Sequence, residues 1–183
     1  MRYSRLAIVC AGLALLLSGC IFSPRKGAGG GGTEPPKYDI PLSPEYVMFN
    51  LKKAYTAKDS VAYKACFDLS YFGTSQDQTT QNPIDTLTFA EEARHIAYLA
   101  RTTANVELVL KPAMTRSTDS GDPPGWALIQ NPIQSLGIYD GPNIFIVTPT
   151  QETIEFRFIP KTPDSSSPTD TTWKIIKWNE IKS

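Results

Sequence analysis

At Thr103 the apolar residues of this chain change period, and the new period persists almost to the end, so a mainly helical half comes first and a run of strands afterwards. Upstream, Phe89, Ala93, Ile96, Leu99 and Ala100 recur at helical spacing, leaving Glu91, Arg94, Tyr98 and Arg101 on the opposite side. Downstream, Val106, Leu108 and Leu110 alternate with Glu107, Val109 and Lys111, which predicts a strand with one buried face.

The helical half carries clear start signals. Ser43-Pro44-Glu45 offers a cap, a proline suited to the first turn and an acid at the positive helix end. Val47, Leu51, Ala54 and Tyr55 then share one face, with Asn50, Lys52 and Lys53 on the other. Lys58-Asp59-Ser60 breaks that helix and caps a second, expected to turn Val61, Ala65 and Cys66 inward with Tyr63 and Phe67 flanking. Leu69 to Phe72 reads as a short strand, Gln76 to Asn82 as loop, and Thr88-Phe89-Ala90-Glu91 as a capping box opening a third helix.

After a long loop from Pro112 to Gly125, strands are expected near Trp126–Ile129, Ile133–Tyr139, Asn143–Thr148, Glu152–Ile159 and Thr171–Ile181. Asp140-Gly141-Pro142 and Pro149-Thr150-Gln151 turn the chain, and Pro163 to Pro168 makes a polar hairpin tip. The order predicts an α+β fold, helices packed on one face of a curved, mostly antiparallel sheet.

The start of the chain is of another kind. A basic Met1–Arg5 leads into 12 apolar residues, Leu6 to Leu17, too few to span a bilayer as a helix and suited to a secretory signal. Leu17-Ser18-Gly19-Cys20 resembles the lipobox of bacterial lipoproteins. That resemblance implies cleavage between Gly19 and Cys20 and lipidation of the Cys20 thiol with diacylglycerol and a further acyl chain such as palmitate. Each buried methylene adds about 0.8 kcal/mol, so three chains hold a protein at the membrane. Ile21, where an aspartate would signal retention at the inner membrane, implies an outer-membrane anchor facing the periplasm in a two-membraned host.

Residues 1–19 are thus expected to be signal peptide, and 20–42 a lipidated, flexible tether containing Gly27 to Gly32 and Pro35-Pro36. A glycine-rich coil of about 20 residues reaches roughly 25 Å. Residues 43–183 form the domain. Removing 19 of the 183 residues leaves 164, enough for one core. It also takes Arg2 and Arg5 away, leaving 16 basic residues against 18 acidic ones, a balance that argues against nucleic acid as a partner. Cys66 then remains as the single thiol and reads as a small buried core residue.

Leu51-x-x-Ala54-Tyr55-x-x-x-Asp59, running on into Tyr63 and Phe67, together with the closing Trp173-Lys174-Ile175-Ile176-Lys177-Trp178, is similar to the NTF2-like superfamily, which includes the SnoaL-like and ketosteroid-isomerase-like proteins. The resemblance spans Ser43 to Lys182 and implies a cone of helices against a strongly bent sheet. Enzymes of that superfamily pair an aspartate with a histidine, or a tyrosine with aspartates, at the base of the cone. Here His95 is the single histidine and is expected to pair with Glu91, four residues earlier, at the surface. Asp68 as a base, with Tyr46, Tyr55 or Tyr71 supplying a phenol, is the weak catalytic alternative.

One histidine and one thiol cannot build a zinc tetrahedron, and Asp119 and Asp122 lack the ligand pattern of a calcium loop, so no metal or cofactor is expected. Aromatic residues crowd the predicted sheet, where Trp126, Phe145, Phe158 and Trp173, with Tyr55, are candidates for a pocket or sheet face. The reading at this level is a noncatalytic, lipid-anchored domain of the cell envelope that binds a small apolar ligand or a protein partner. A proton-transfer isomerase or dehydratase is the enzymatic alternative. A structural lipoprotein that forms a homodimer or docks on an envelope protein through the sheet face is the third.

Overall fold

A computed structural model describes residues 36–77, 82–147, 152–161 and 171–182. The expected signal peptide, Cys20 and the glycine run lie outside the described residues, as does the polar tip from Pro163 to Pro168. Among the described residues no helix is long and apolar enough to cross a membrane.

Each helix begins where a side chain can satisfy its free amides. The Ser43 hydroxyl accepts from the Tyr46 amide and caps α1 (Pro44–Thr56), with Pro44 placed where a missing amide costs nothing. Asp59 accepts from the amides of Val61 and Ala62 and caps α2 (Ser60–Ala65). Glu91 accepts from the Thr88 amide at 2.7 Å and closes the capping box of α3 (Phe89–Leu99). Between α1 and α2 the chain reverses through Lys58, whose φ of 52° is uncommon for a residue with a Cβ.

Two helical faces differ from their sequence reading. Val61, expected inward, is 73% exposed, Ala65 is exposed, and Tyr63 is buried instead. A helix of six residues has one narrow buried stripe, and Tyr63, Cys66 and Phe67 at i, i+3 and i+4 fill it. In α1, Asn50 is buried because its amide pairs both ways with the Asp39 backbone, accepting from the nitrogen at 2.9 Å and donating to the oxygen at 2.7 Å. Ala100, just past α3, is exposed.

That Asn50 pairing holds down the last residues of the segment read as tether. Tyr38 donates to Asp59 at 2.9 Å, Lys53 pairs with Asp39 at 2.7 Å, and the Trp173 amide donates to the Pro41 carbonyl at 2.9 Å. Pro36–Leu42 is therefore bonded to the domain along its length.

The strands form two sheets. One has the order β2 (Asn82–Thr88), β1 (Phe67–Asp77), β9 (Thr172–Lys182), β8 (Glu152–Lys161), β5 (Ala127–Gln130) and β4 (Arg116–Ser117). The other is β3 (Asn105–Leu110), β6 (Ile133–Asp140) and β7 (Asn143–Val147). All pairings are antiparallel except β1 with β9. β1 is far longer than the short strand expected at Leu69–Phe72, and the ends of β1 and β2 take in Gln76 and Asn82, which read as loop.

The helices pack on the sheets through one core. Val47, Met48, Leu51, Ile96, Val106, Leu108, Ile154, Phe156, Phe158 and Ile175 are buried in a single cluster, each large side chain contributing about 1.5–3 kcal/mol. Because α1 packs against both β3 and β9, it bridges the two sheets. Where α3 leans over β1 and β2, beside the end of β9, that core gives way to a cavity.

Candidate functional site

Three tyrosines reach this cavity from three different elements. Tyr55 closes the last turn of α1, Tyr63 is the buried residue of α2, and Tyr71 lies mid-β1. With Glu92, His95, Leu87, Leu136, Trp178, Glu180 and the β1 residues Gly73, Thr74 and Ser75, they line a volume of about 210 Å³. Gly73 is required by close approach, since a Cβ there would lie 2.5 Å from the Tyr71 hydroxyl oxygen. Tyr71 and Gly73 alternate onto one face of the strand, so the ring lies back over the glycine.

Glu92 is the centre of the site. It is only 6% exposed, on the buried side of α3. Tyr63 donates to its Oε2 at 3.0 Å and Tyr71 to its Oε1 at 3.3 Å. Burial pushes its carboxyl above the ordinary range, and the two phenols oppose that shift without cancelling it. Among the described residues no ion pair includes Glu92.

His95, one turn further along the exposed edge of α3, meets the Tyr55 hydroxyl through Nε2 at 2.8 Å. Desolvation lowers the imidazole below its usual value and burial raises the Tyr55 phenol, so a neutral ring shares this hydrogen bond with a protonated phenol. The expected surface pair of Glu91 with His95 does not form. Glu91 is taken by Thr88 and Arg94, which leaves His95 to Tyr55.

Asp68, the sequence candidate for a base, lies outside the cavity. It pairs with Lys161 at 2.7 Å and accepts from the Ser70 amide; against the effect of burial, these contacts hold its carboxyl below the usual value. Tyr46 is exposed. Tyr55 and Tyr71 do line the cavity. Glu92 was not singled out because an acid beside Glu91 in a capping box reads as a second surface charge. Its helical spacing from Phe89, Ile96 and Leu99 is the signal that places it inward.

The other aromatic candidates are scattered. Phe158 is core, Trp126 is half-buried, and Phe145 on edge strand β7 is 62% exposed. Trp173 lines a separate cavity of about 240 Å³ with Tyr38, Pro41, Ala62, Cys66 and Lys174. There burial pushes the Cys66 thiol up to about 12, so it stays protonated and inert, as a core residue should. Asp119 and Asp122, weighed as cation ligands, both bind Arg157 instead. Among the described residues no group of His, Cys, Asp and Glu is arranged to hold a metal.

The site therefore combines a buried acid, a phenol–imidazole pair and an indole, Trp178, whose Nε1 is buried without a hydrogen-bond partner among the described residues. Such a set can hold a small guest and can hand a proton to it or take one from it.

No family model and no curated protein sequence matches this chain. Solved structures do. A protein of Novosphingobium aromaticivorans with a provisional scytalone dehydratase assignment is 8% identical, covering 76% of this chain and 80% of its own, with a TM-score of 0.50. An NTF2-like protein of unknown function in nutrient uptake from Rhodospirillum rubrum is 11% identical over 77% of this chain and 98% of its own, with a TM-score of 0.48. A provisionally assigned dehydratase of the NTF2-like family from Streptomyces avermitilis is 13% identical over 76% and 92%, with a TM-score of 0.45. The fold is NTF2-like, α+β, with helices against a curled, mostly antiparallel sheet. At these identities the likeness extends to the fold alone, which hosts many activities.

Proposed function

We propose that this chain is a lipid-anchored protein of the cell envelope whose domain binds a small, largely apolar ligand in the Glu92 cavity. What supports the binding reading is a buried carboxyl at the wall of a cavity with tyrosine, tryptophan and leucine around it. Dry apolar cavities of about 150 Å³ already accept benzene, so the space suits a guest of one ring or its equivalent. A fragment screen read by NMR on the processed protein tests it. Hits should broaden Tyr55, Tyr71 and Trp178 signals, and a screen with no hit at these residues overturns the reading.

The anchor is supported by Leu17-Ser18-Gly19-Cys20 after its apolar run. Cells fed a fatty-acid analogue should label the wild type and leave Cys20→Ser unlabelled, and equal labelling removes the anchor.

A second reading, a proton-transfer isomerase or dehydratase, is favoured by Glu92 with its raised carboxyl beside the Tyr55–His95 pair. Glu92 would exchange a proton with a carbon acid while the Tyr55 hydroxyl turns from His95 to donate to the developing oxyanion. Solvent-hydrogen exchange into bound ketone fragments, lost in Glu92→Gln, would support this version. Fragments that bind without exchange leave a binding protein.

A further inference from the structure

Glu92 is caught between two opposed demands. Both of its oxygens accept from phenols, a pattern that suits the anion, while burial favours the neutral acid. What would reconcile the two is a positive charge in the cavity, and among the described residues no lysine or arginine lines it. The same bonds decide what the tyrosines can offer a guest. Tyr63 and Tyr71 commit their hydroxyls to Glu92 and Tyr55 commits its own to His95, so the three present ring surface rather than donors. Ring surface attracts cations, most strongly where water is excluded, and Trp178 adds a further aromatic wall.

Resting on the ligand-binding reading above, we infer that the guest is a small organic cation of the methylated-ammonium class, seated among Tyr55, Tyr63, Tyr71 and Trp178 with its charge against Glu92. A quaternary ammonium has no N–H to donate and so asks only for π surface and a nearby anion, which is what this wall supplies. Glu180 on β9 also lines the cavity.

Binding should also move a proton. The groups around Glu92 are Tyr63 of α2, Tyr71 of β1, Tyr55 of α1, His95 of α3 itself and Glu180 of β9. The tyrosines stay protonated and His95 stays neutral near pH 7, so the cation acts chiefly on the carboxyl. It lowers the acid and releases up to one proton to the buffer.

The test compares choline with 3,3-dimethyl-1-butanol, which has the same shape with carbon in place of the charged nitrogen. Both are titrated calorimetrically into the full processed protein in two buffers of different ionisation heat. Choline is expected to bind about tenfold tighter or more, with buffer-dependent heat showing proton release. In Glu92→Gln the preference should shrink to within about threefold and the proton release vanish. Equal affinities in the wild type overturn the cation assignment and leave the binding reading intact. If neither compound binds, the cation assignment fails, and the fragment screen alone then decides whether the cavity binds anything.

Discussion

Among the described residues, two side chains that water would leave charged, Arg157 and Glu92, are buried, and they are treated in opposite ways. Arg157 on β8 is surrounded by Asp122 at 2.8 Å, Glu155 at 2.8 Å and Asp119 at 2.9 Å, three acids for one cation. Glu92 on α3 has two phenols and, among the described residues, no cation. A buried charge is costly unless it is paired, so Arg157 is the expected structural solution, pinning the loop before β5 onto β8. Glu92 is the exception. An unpaired buried acid beside a cavity is where a protein accepts some instability for the sake of a ligand or a proton.

Breaking the satisfied cluster should have the largest effect. Arg157→Ala leaves Asp122 and Glu155 close together without their cation and is expected to cost about 3–5 kcal/mol in urea unfolding. A cost below about 1 kcal/mol would mean that the cluster is solvated like a surface pair and that the contrast with Glu92 is false.

Gly73→Ala sharpens the other side of the comparison. The new Cβ drives the Tyr71 hydroxyl off its present position, for about 1–3 kcal/mol and the loss of one of the two donors to Glu92. The Glu92 carboxyl should titrate still higher by NMR, and an unchanged titration would show that Tyr71 does not hold it.

Glu92→Gln should change how stability depends on pH. The folded chain holds a proton on Glu92 that the unfolded chain releases above about pH 4.3. This contribution is complete below that value and is lost as pH rises through the folded pKa. The variant should therefore lose less stability than the wild type as pH rises from about 4.3 to the raised folded pKa, by roughly 1.4 kcal/mol for each unit of the shift. Parallel profiles would place Glu92 in contact with water.

The smallest effect is expected from Tyr55→Phe, which removes one hydrogen bond at the rim, about 1 kcal/mol or less. Its readout is the His95 ring, whose NMR shifts should change while the fold does not. An unmoved ring would break the Tyr55–His95 pair.

Much of the fold was legible because its signals are local. Caps at Ser43, Asp59 and Thr88 satisfy amides a few residues away, and the alternation of Val106, Leu108 and Leu110 needs only a strand with one buried face. The second helix misled because six residues contain too few turns to define a face, so Val61 and Tyr63 exchange places. In the site, Tyr55 and Tyr71 were nameable as phenols, whereas Asp68 was drawn away by Lys161, a residue 93 positions later that no local pattern connects to it.

By itself, then, the sequence determined the three helices, most of the strands after Thr103, the bulk of the core and the inert character of Cys66, since each depends on residues within a turn or two or on burial as such, while it did not signal β2 or β4. Tertiary structure decided which acid matters. Glu92, Tyr63, Tyr71, His95 and Tyr55 come from four elements, and only their packing fixes the distances and the local exclusion of water that set a carboxyl's pKa. Charge is a property of a residue, but its cost is a property of the place where the fold puts it.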